Sequence, residues 1–120
     1  NGKHYNDEVE LWGDGYQRRE LIYVDDAIEA MLNLLNEENE IFNLGSSRDL
    51  PIRHYADEIS NQVGYNPDKI IYNTEKYVGV RKRKLEVDKV QKLSLNYCNT
   101  SLSEGLQKTI NFYHNNYGVK

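Results

Sequence analysis

The chain has 120 residues, with 15 lysines and arginines against 19 aspartates and glutamates, so its formal net charge is −4. That charge produces no general attraction to nucleic acid or to an anionic membrane, and we expect neither as a partner. Hydrophobic residues make up 38% of the chain, and no apolar run approaches the roughly 18 residues of a membrane span. The composition predicts one soluble domain, residues 1–120, in which any anion binds at a local site.

Two features indicate part of a longer intracellular protein. The chain begins at Asn1 with a polar stretch that resembles the middle of a protein, and its length is short for an enzyme that holds both a cofactor and a substrate. The single cysteine, Cys98, cannot form an internal disulfide and has no metal-binding spacing around it. We therefore expect a fragment of a cytoplasmic protein.

A strand, a turn and a second strand are predicted near the start of the chain. Polar and apolar residues alternate from Glu8 to Trp12, which is the period of a strand with one buried face. The sequence Gly13-Asp14-Gly15 then tolerates the positive φ angles of a tight turn. The chain is expected to reverse there and to return as an extended piece from Arg18 to Val24, forming a hairpin.

Helical periodicity begins next. Either Asp25 or Asp26 is predicted to cap a helix, which explains this pair of carboxylates more simply than a catalytic role does. A short strand is then expected at residues 41–44. The apolar residues of the helix recur at three- and four-residue steps and form one stripe, which consists of Val24, Ala27, Ile28, Met31, Leu32 and Leu35.

The rest of the chain alternates helices with one more strand. Pro51 suits a first helical turn, and Ser101 with Glu104 forms a capping box. This order predicts an α/β fold of mixed strands and helices, with too few strands for a complete doubly wound sheet. The predicted elements are a helix at 51–64, a strand at 69–73, an ordered basic loop at 74–87, a short helix at 88–93 and a last helix at 101–118.

Trp12 and Arg19 are the first candidates for ligand binding. An indole face and a guanidinium group a few residues apart can grip a ligand that carries a ring and an anionic group. The alternative is that Trp12 is a core anchor and Arg19 a solvated strand residue, since tryptophan is usually well buried.

Several motifs occur in a fixed order along the chain. They are Trp-Gly-Asp-Gly at 12–15, Arg-Arg-Glu-Leu-Ile-Tyr-Val-Asp-Asp-Ala at 18–27, Phe-Asn-Leu-Gly at 42–45 with Leu-Pro-Ile at 50–52, and Ser-Leu-Ser-Glu-Gly-Leu at 101–106. This order resembles the extended short-chain dehydrogenase/reductases that modify nucleotide sugars, the NAD-dependent epimerase/dehydratase family. The resemblance implies a small substrate-binding domain from the C-terminal part of a Rossmann-type enzyme.

The resemblance also implies which residues bind the substrate. Trp12 and Arg19 would contact the nucleotide sugar, Arg19 at the diphosphate, and the basic loop would add Lys76 and Arg83. The family reads Lys-Pro-Asp-Gly in this loop, whereas this chain has Lys-Tyr-Val-Gly at 76–79. The carboxylate that would bond the base or ribose is absent, so the nucleotide is open, with a GDP-sugar favoured. The alternative for the basic run is a solvated loop.

The family's catalytic half has no counterpart in these residues. The family binds NAD or NADP on a Gly-x-x-Gly-x-x-Gly loop and uses a Tyr-x-x-x-Lys pair. The resemblance places both in an N-terminal Rossmann domain of the same chain, which also forms a homodimer. Gly13 and Gly15 do not open a helix, and Tyr72 and Lys76 leave a strand for a loop. We expect no catalytic residue, no bound cofactor and no turnover in this fragment alone.

The remaining candidates have simpler structural explanations. Ser46 and Ser47 lack a His or Asp partner arrangement for nucleophilic catalysis. No metal site is expected, because the three histidines are far apart and lack the spacing of metal ligands. These histidines are His4, His54 and His114.

Two functions remain open. The first is the nucleotide-sugar-binding portion of an NAD(P)-dependent epimerase/reductase, 4-epimerase or 4,6-dehydratase, in which this chain orients the reacting sugar. The second is a non-catalytic binding or interaction domain that reuses the same fold, for which the loss of the Pro-Asp pair at Tyr77 and Val78 is the supporting observation.

Overall fold

A computed structural model describes residues 7–93 and 95–118 and shows mixed strands and helices, as predicted. His4 and the polar entry before Asp7 lie outside these residues. Within residues 7–93 and 95–118, two separate two-stranded sheets are packed among four helices. The elements are β1 (Val9–Trp12), β2 (Arg18–Glu20), α1 (Val24–Asn33), β3 (Asp49–Pro51), α2 (Ile52–Val63), a 3-10 turn (Pro67–Lys69), β4 (Ile70–Asn73), α3 (Asp88–Gln91) and α4 (Leu102–Tyr117).

The predicted hairpin between the first two strands is wrong. Strand β1 pairs in parallel with β4, from Val9 opposite Ile70 to Trp12 opposite Asn73, whereas β2 pairs antiparallel with β3. The glycines of the intervening turn do have positive φ, but the ladder continues from β1 to β4 through Gly13 N and Asn73 O at 2.7 Å. The local turn signal is therefore real, while the backbone partners come from segments remote in sequence.

The strand predicted at residues 41–44 is not formed. An extended segment becomes a strand only when a neighbour completes its hydrogen-bond ladder. Among the described residues no strand lies beside it. Its contacts instead involve side chains: Asn43 Nδ2 donates to Glu86 O and Lys89 Nζ to Ile41 O, both at 3.0 Å, and Lys89 Nζ lies 4.7 Å from the centre of the Phe42 ring. Ile41 is 87% exposed. Residues 41–44 therefore have no neighbouring strand to pair with among the described residues.

Helix α1 forms where predicted, but the predicted cap is wrong. Tyr23 occupies the N-cap without a side-chain cap bond. Asp25 and Asp26 lie in the first turn, where their negative charges interact favourably with the positive end of the helix dipole. Asp26 is buried and accepts hydrogen bonds from Thr100 N at 3.0 Å and Thr100 Oγ1 at 2.8 Å. It therefore ties α1 to the segment that enters α4.

The apolar stripe of α1 does not face the core of the described residues. Met31 is 52% exposed, Leu32 62% and Leu35 75%, and the helix residues that are buried are Asp26 and Ala30. An amphipathic helix normally buries its apolar stripe. This surface, together with residues 41–44, is consequently uncovered within the described chain.

The two long C-terminal helices begin and end close to the predicted residues. Pro51 stands just before α2, and Gly64 ends that helix with a φ of 66°. Ser101 caps α4, since its Oγ accepts from Glu104 N at 3.2 Å, while the Glu104 side chain pairs with Lys108. No helix in residues 7–93 and 95–118 is long and apolar enough to cross a membrane.

Asp26→Ala should destabilise the protein by about 1–3 kcal/mol, because it removes a buried carboxylate and leaves the half-buried Thr100 donors without their acceptor. Urea unfolding followed by circular dichroism measures this loss. Asp25→Ala is the matched control, since Asp25 is an exposed neighbour in the same helical turn. Equal losses in the two variants would show that helix-dipole effects, rather than the Thr100 bonds, account for the stabilisation.

Candidate functional site

The turn after β1 fixes the surroundings of Trp12 through close backbone packing. A Cβ at Gly13 would overlap the Val78 side chain, and a Cβ at Gly15 would lie 2.5 Å from both the Tyr72 ring and Arg53 Cγ. The φ angles of these glycines, 89° and 75°, are in the left-handed region that side chains disfavour. Glycine is required here for both reasons.

Trp12 stands at the end of β1 with its side chain largely accessible. It is 58% exposed, so its ring is not a core anchor of the described residues. Lys76 Nζ lies 5.8 Å from the centre of the indole ring, at the outer limit of a cation–π contact. The structure therefore brings together two of the residues that the resemblance assigns to the substrate.

The Arg19 side chain holds the basic loop by hydrogen bonds to its backbone carbonyl groups. Its Nη1 donates to Arg18 O at 2.7 Å and to Val80 O at 3.0 Å, and its Nη2 donates to Val78 O at 3.4 Å. A guanidinium group has five N–H donors, so these three bonds leave two. Arg19 can thus hold the loop and still donate to an anion.

The four consecutive basic residues 81–84 differ in their partners. Arg81 pairs with Asp14 at 2.8 Å, and Lys82 lies 3.6 Å from Asp49, which also accepts from Arg18 at 2.7 Å. The hydrogen bond from Arg81 lowers the pKa of Asp14, and the one from Arg18 lowers that of Asp49.

Arg83 and Lys84, in contrast, have no side-chain ion pair or hydrogen bond within residues 7–93 and 95–118. The backbone of Arg83 is nevertheless fixed, because its N–H donates to Arg18 O at 3.2 Å. Arg83 is therefore a cation attached to the sheet by its main chain, with an exposed side chain that no described carboxylate neutralises.

Two residues that order this region were not identified from the sequence. The Arg53 guanidinium carbon lies 3.8 Å from the Tyr72 ring centre and 4.8 Å from that of Tyr16, and Arg53 Nε donates to Asp14 O at 2.7 Å. Glu20 accepts from the backbone of two loops. Neither role has a sequence signal, because each depends on segments that meet only in the folded chain.

Tyr72 and Lys76 do not form a catalytic pair in this arrangement. Tyr72 packs against Arg53, whereas Lys76 is directed toward Trp12. Burial raises the pKa of Tyr72, which is opposite to the change that a proton-transferring tyrosine needs near neutral pH.

A cavity of about 310 Å³ is bordered by residues 21–23, which follow β2, by Leu50 of β3 and by helices α2 and α4. His54 and Ser46 border it together with Cys98 and Arg48, but most of its lining is apolar. His114 lies in α4. The described part of the chain contains no group of three or more His, Cys, Asp or Glu side chains able to hold a metal ion.

Comparison with solved structures identifies the fold class. A GDP-L-fucose synthetase from Naegleria fowleri, bound to NADP, superimposes with a TM-score of 0.88 at 19% identity, over 97% of this chain and 37% of that one. A UDP-glucose 4-epimerase from Thermotoga maritima, solved with UDP-glucose, gives a TM-score of 0.81 at 29% identity, over 92% and 36%. The chain has the fold of part of a Rossmann-type extended short-chain dehydrogenase/reductase.

Sequence comparison agrees with the fold. The model of the NAD dependent epimerase/dehydratase family matches residues 1–45. GDP-L-colitose synthase from Yersinia pseudotuberculosis is 32% identical over 112 residues, which cover 90% of this chain and 35% of that protein. The chain is therefore a relative of the nucleotide-sugar epimerases, dehydratases and reductases, as its motifs indicated. It spans about a third of the length of the curated relatives it matches.

Gly15→Ala should destabilise the protein by about 3 kcal/mol, because it combines an unfavourable φ with overlap against the Tyr72 ring. Gly79→Ala is the matched control: its φ is 69°, but no atom lies within 4 Å of the added Cβ, so about 1 kcal/mol is expected. Urea unfolding of both variants measures the difference. Equal destabilisation would mean that the packing of the turn against Tyr72 contributes nothing.

Proposed function

We propose that this chain supplies the nucleotide-sugar-binding part of an NAD(P)-dependent epimerase/reductase of the GDP-L-fucose synthase type, which acts on a GDP-4-keto-6-deoxy sugar. The observation that carries the proposal is Arg83, whose positive charge has no ion-pair partner among the described residues. Its backbone is bonded to Arg18 of β2, and it lies on the loop that Arg19 holds by hydrogen bonds. Lys76 belongs to the same loop, and the centre of the Trp12 ring lies 5.8 Å from its Nζ. These four are the residues that we propose bind the substrate.

The chemistry of a nucleotide diphosphate sugar suits this set of residues. Guanidinium groups bind phosphate oxygens in a bidentate manner, and charge-assisted hydrogen bonds are roughly twice as strong as neutral ones. Arg83 and the two remaining donors of Arg19 would meet the diphosphate, with Lys76 as a further point charge. The exposed indole face of Trp12 offers a flat apolar surface to a ring. Holding the diphosphate would orient the sugar for reaction.

The described residues do not fit a nicotinamide dinucleotide. A pyrophosphate is held where a glycine-rich turn leaves the start of a helix open. Gly13 and Gly15 instead lie in a turn whose inner space is filled by Val78, Tyr72 and Arg53. NAD or NADP would accordingly be held outside these residues, and the role of this chain is to bind and orient the substrate.

The uncovered apolar surfaces support a proposal for domain organisation. The exposed stripe of α1 and the unpaired residues 41–44 are surfaces that a larger fold would bury. We assign their cover to an N-terminal Rossmann domain of the same polypeptide, which would also carry the cofactor and the catalytic Tyr and Lys. In this proposal, residues 1–120 are a single C-terminal substrate-binding domain of a cytoplasmic homodimer, inactive alone.

A UDP-sugar epimerase is the second candidate, and two observations favour it. The Thermotoga maritima UDP-glucose 4-epimerase shares 29% identity with this chain. In addition, the carboxylate expected at residue 78 is replaced by a valine that packs against Gly13. A site without that carboxylate has lost a partner for the base or ribose, so the nucleotide preference of a GDP-sugar enzyme need not persist.

Isothermal titration of the complete polypeptide with GDP-L-fucose and UDP-glucose tests these proposals. Arg83→Ala should weaken the preferred ligand about 10- to 100-fold, the equivalent of one charge-assisted hydrogen bond. Lys92→Ala, which removes an equal charge from an exposed residue outside the loop, should leave affinity unchanged. Preference for UDP-glucose would favour the second candidate. Binding of neither nucleotide sugar by the folded protein would contradict both and favour a non-catalytic interaction domain.

A further inference from the structure

We propose that Glu20 is a positioning residue that locks the basic loop, residues 74–87, in the conformation that presents Arg83; its effect on ligand binding rests on the function proposed above. The Glu20 carboxylate accepts two backbone hydrogen bonds from segments far apart in sequence. One comes from Ser47 N, and the other comes from Leu85 N at 2.8 Å. A single side chain thus joins the turn before β3 to the end of the basic loop.

Glu20 completes a set of attachments made by every residue of β2. The Arg18 main chain accepts from Arg83 N at 3.2 Å and donates to Arg81 O at 2.7 Å. The Arg19 side chain binds carbonyls at Val78 and Val80. Among the three residues of β2, only Glu20 reaches Leu85, so the strand as a whole attaches the loop at several points between residues 78 and 85.

The chemistry of the contact requires a carboxylate. Two N–H donors approach two different oxygens, and an ionised carboxylate has only acceptors. A glutamine of the same shape would offer one oxygen and present an N–H₂ group to the other donor, leaving one backbone amide unpaired. The Gly45 backbone permits the close approach, because a Cβ at Gly45 would lie 2.7 Å from Glu20 Oε1. Ser47, with a φ of 60°, is held in its left-handed turn by the same carboxylate.

The consequence for Arg83 follows from the chain geometry. The Arg83 backbone is bonded to Arg18, and the next fixed amide toward the C-terminus is Leu85, two residues on. Between them, residues 83 and 84 carry adjacent positive charges, which repel each other. Without the Leu85 bond this part of the loop would sample more conformations, and a ligand would have to order it on binding. Glu20 would then raise affinity without touching the ligand.

Hydrogen exchange of the complete polypeptide tests the lock directly. Glu20→Ala removes both acceptor oxygens and should increase the exchange rate of the Leu85 amide at least about tenfold, as expected for losing a hydrogen bond to a charged acceptor. Glu86→Ala makes the same truncation at an exposed side chain in the same segment and should leave that rate unchanged. An unchanged Leu85 rate in Glu20→Ala, or equal increases in the two variants, would overturn the proposal.

A binding measurement separates positioning from general destabilisation. Glu20→Ala should weaken binding of the preferred nucleotide sugar several-fold in the wild-type protein but not in an Arg83→Ala background, because Glu20 acts through Arg83. Equal weakening in both backgrounds would overturn the positioning role. If the unmodified protein binds no nucleotide sugar, the function proposed above fails, while the exchange rates still decide whether Glu20 locks the loop.

Discussion

Strand β2 is the constraint on which the rest of the candidate site depends. It has only three residues, yet each one bonds the basic loop, by main chain at Arg18, by guanidinium at Arg19 and by carboxylate at Glu20. These bonds order the basic loop, which has no regular backbone hydrogen-bond ladder of its own. An ordered loop favours the proposed ligand binding, because the entropy cost of fixing its side chains is met when the protein folds and does not reduce the affinity for the ligand.

The chain combines this ordered loop with large apolar surfaces that the described residues leave open. In the part of the chain that the structure describes, the buried hydrophobic residues are few, namely Ala30, Tyr55, Val87 and Val90. The stripe of α1 is at the same time more exposed than its periodicity predicts. Both observations accord with our proposal that a further domain covers the α1 stripe and residues 41–44; the chain spans about a third of the length of the relatives it matches.

The accuracy of the sequence-based predictions varied with the range of the interactions behind them. Helices α1, α2 and α4 were predicted correctly, because their periodicity, glycines and capping serine are local signals. The positive φ angles of Gly13 and Gly15 were predicted for the same reason. The hairpin was wrong, because β4, some sixty residues along the chain, takes the edge of β1. Asp26 was assigned to a cap because its real partner, Thr100, is equally remote.

By itself, the sequence determined the helices, the glycine turn and the order of motifs that relates the chain to nucleotide-sugar epimerases, dehydratases and reductases. These features depend on residue type and spacing, which are visible along one chain. Only the tertiary structure decided which strands pair, which of the basic residues lack a partner, and that Glu20 joins two loops. Those outcomes depend on backbone and charged groups that must find partners across space, and a linear sequence does not specify which segments will meet.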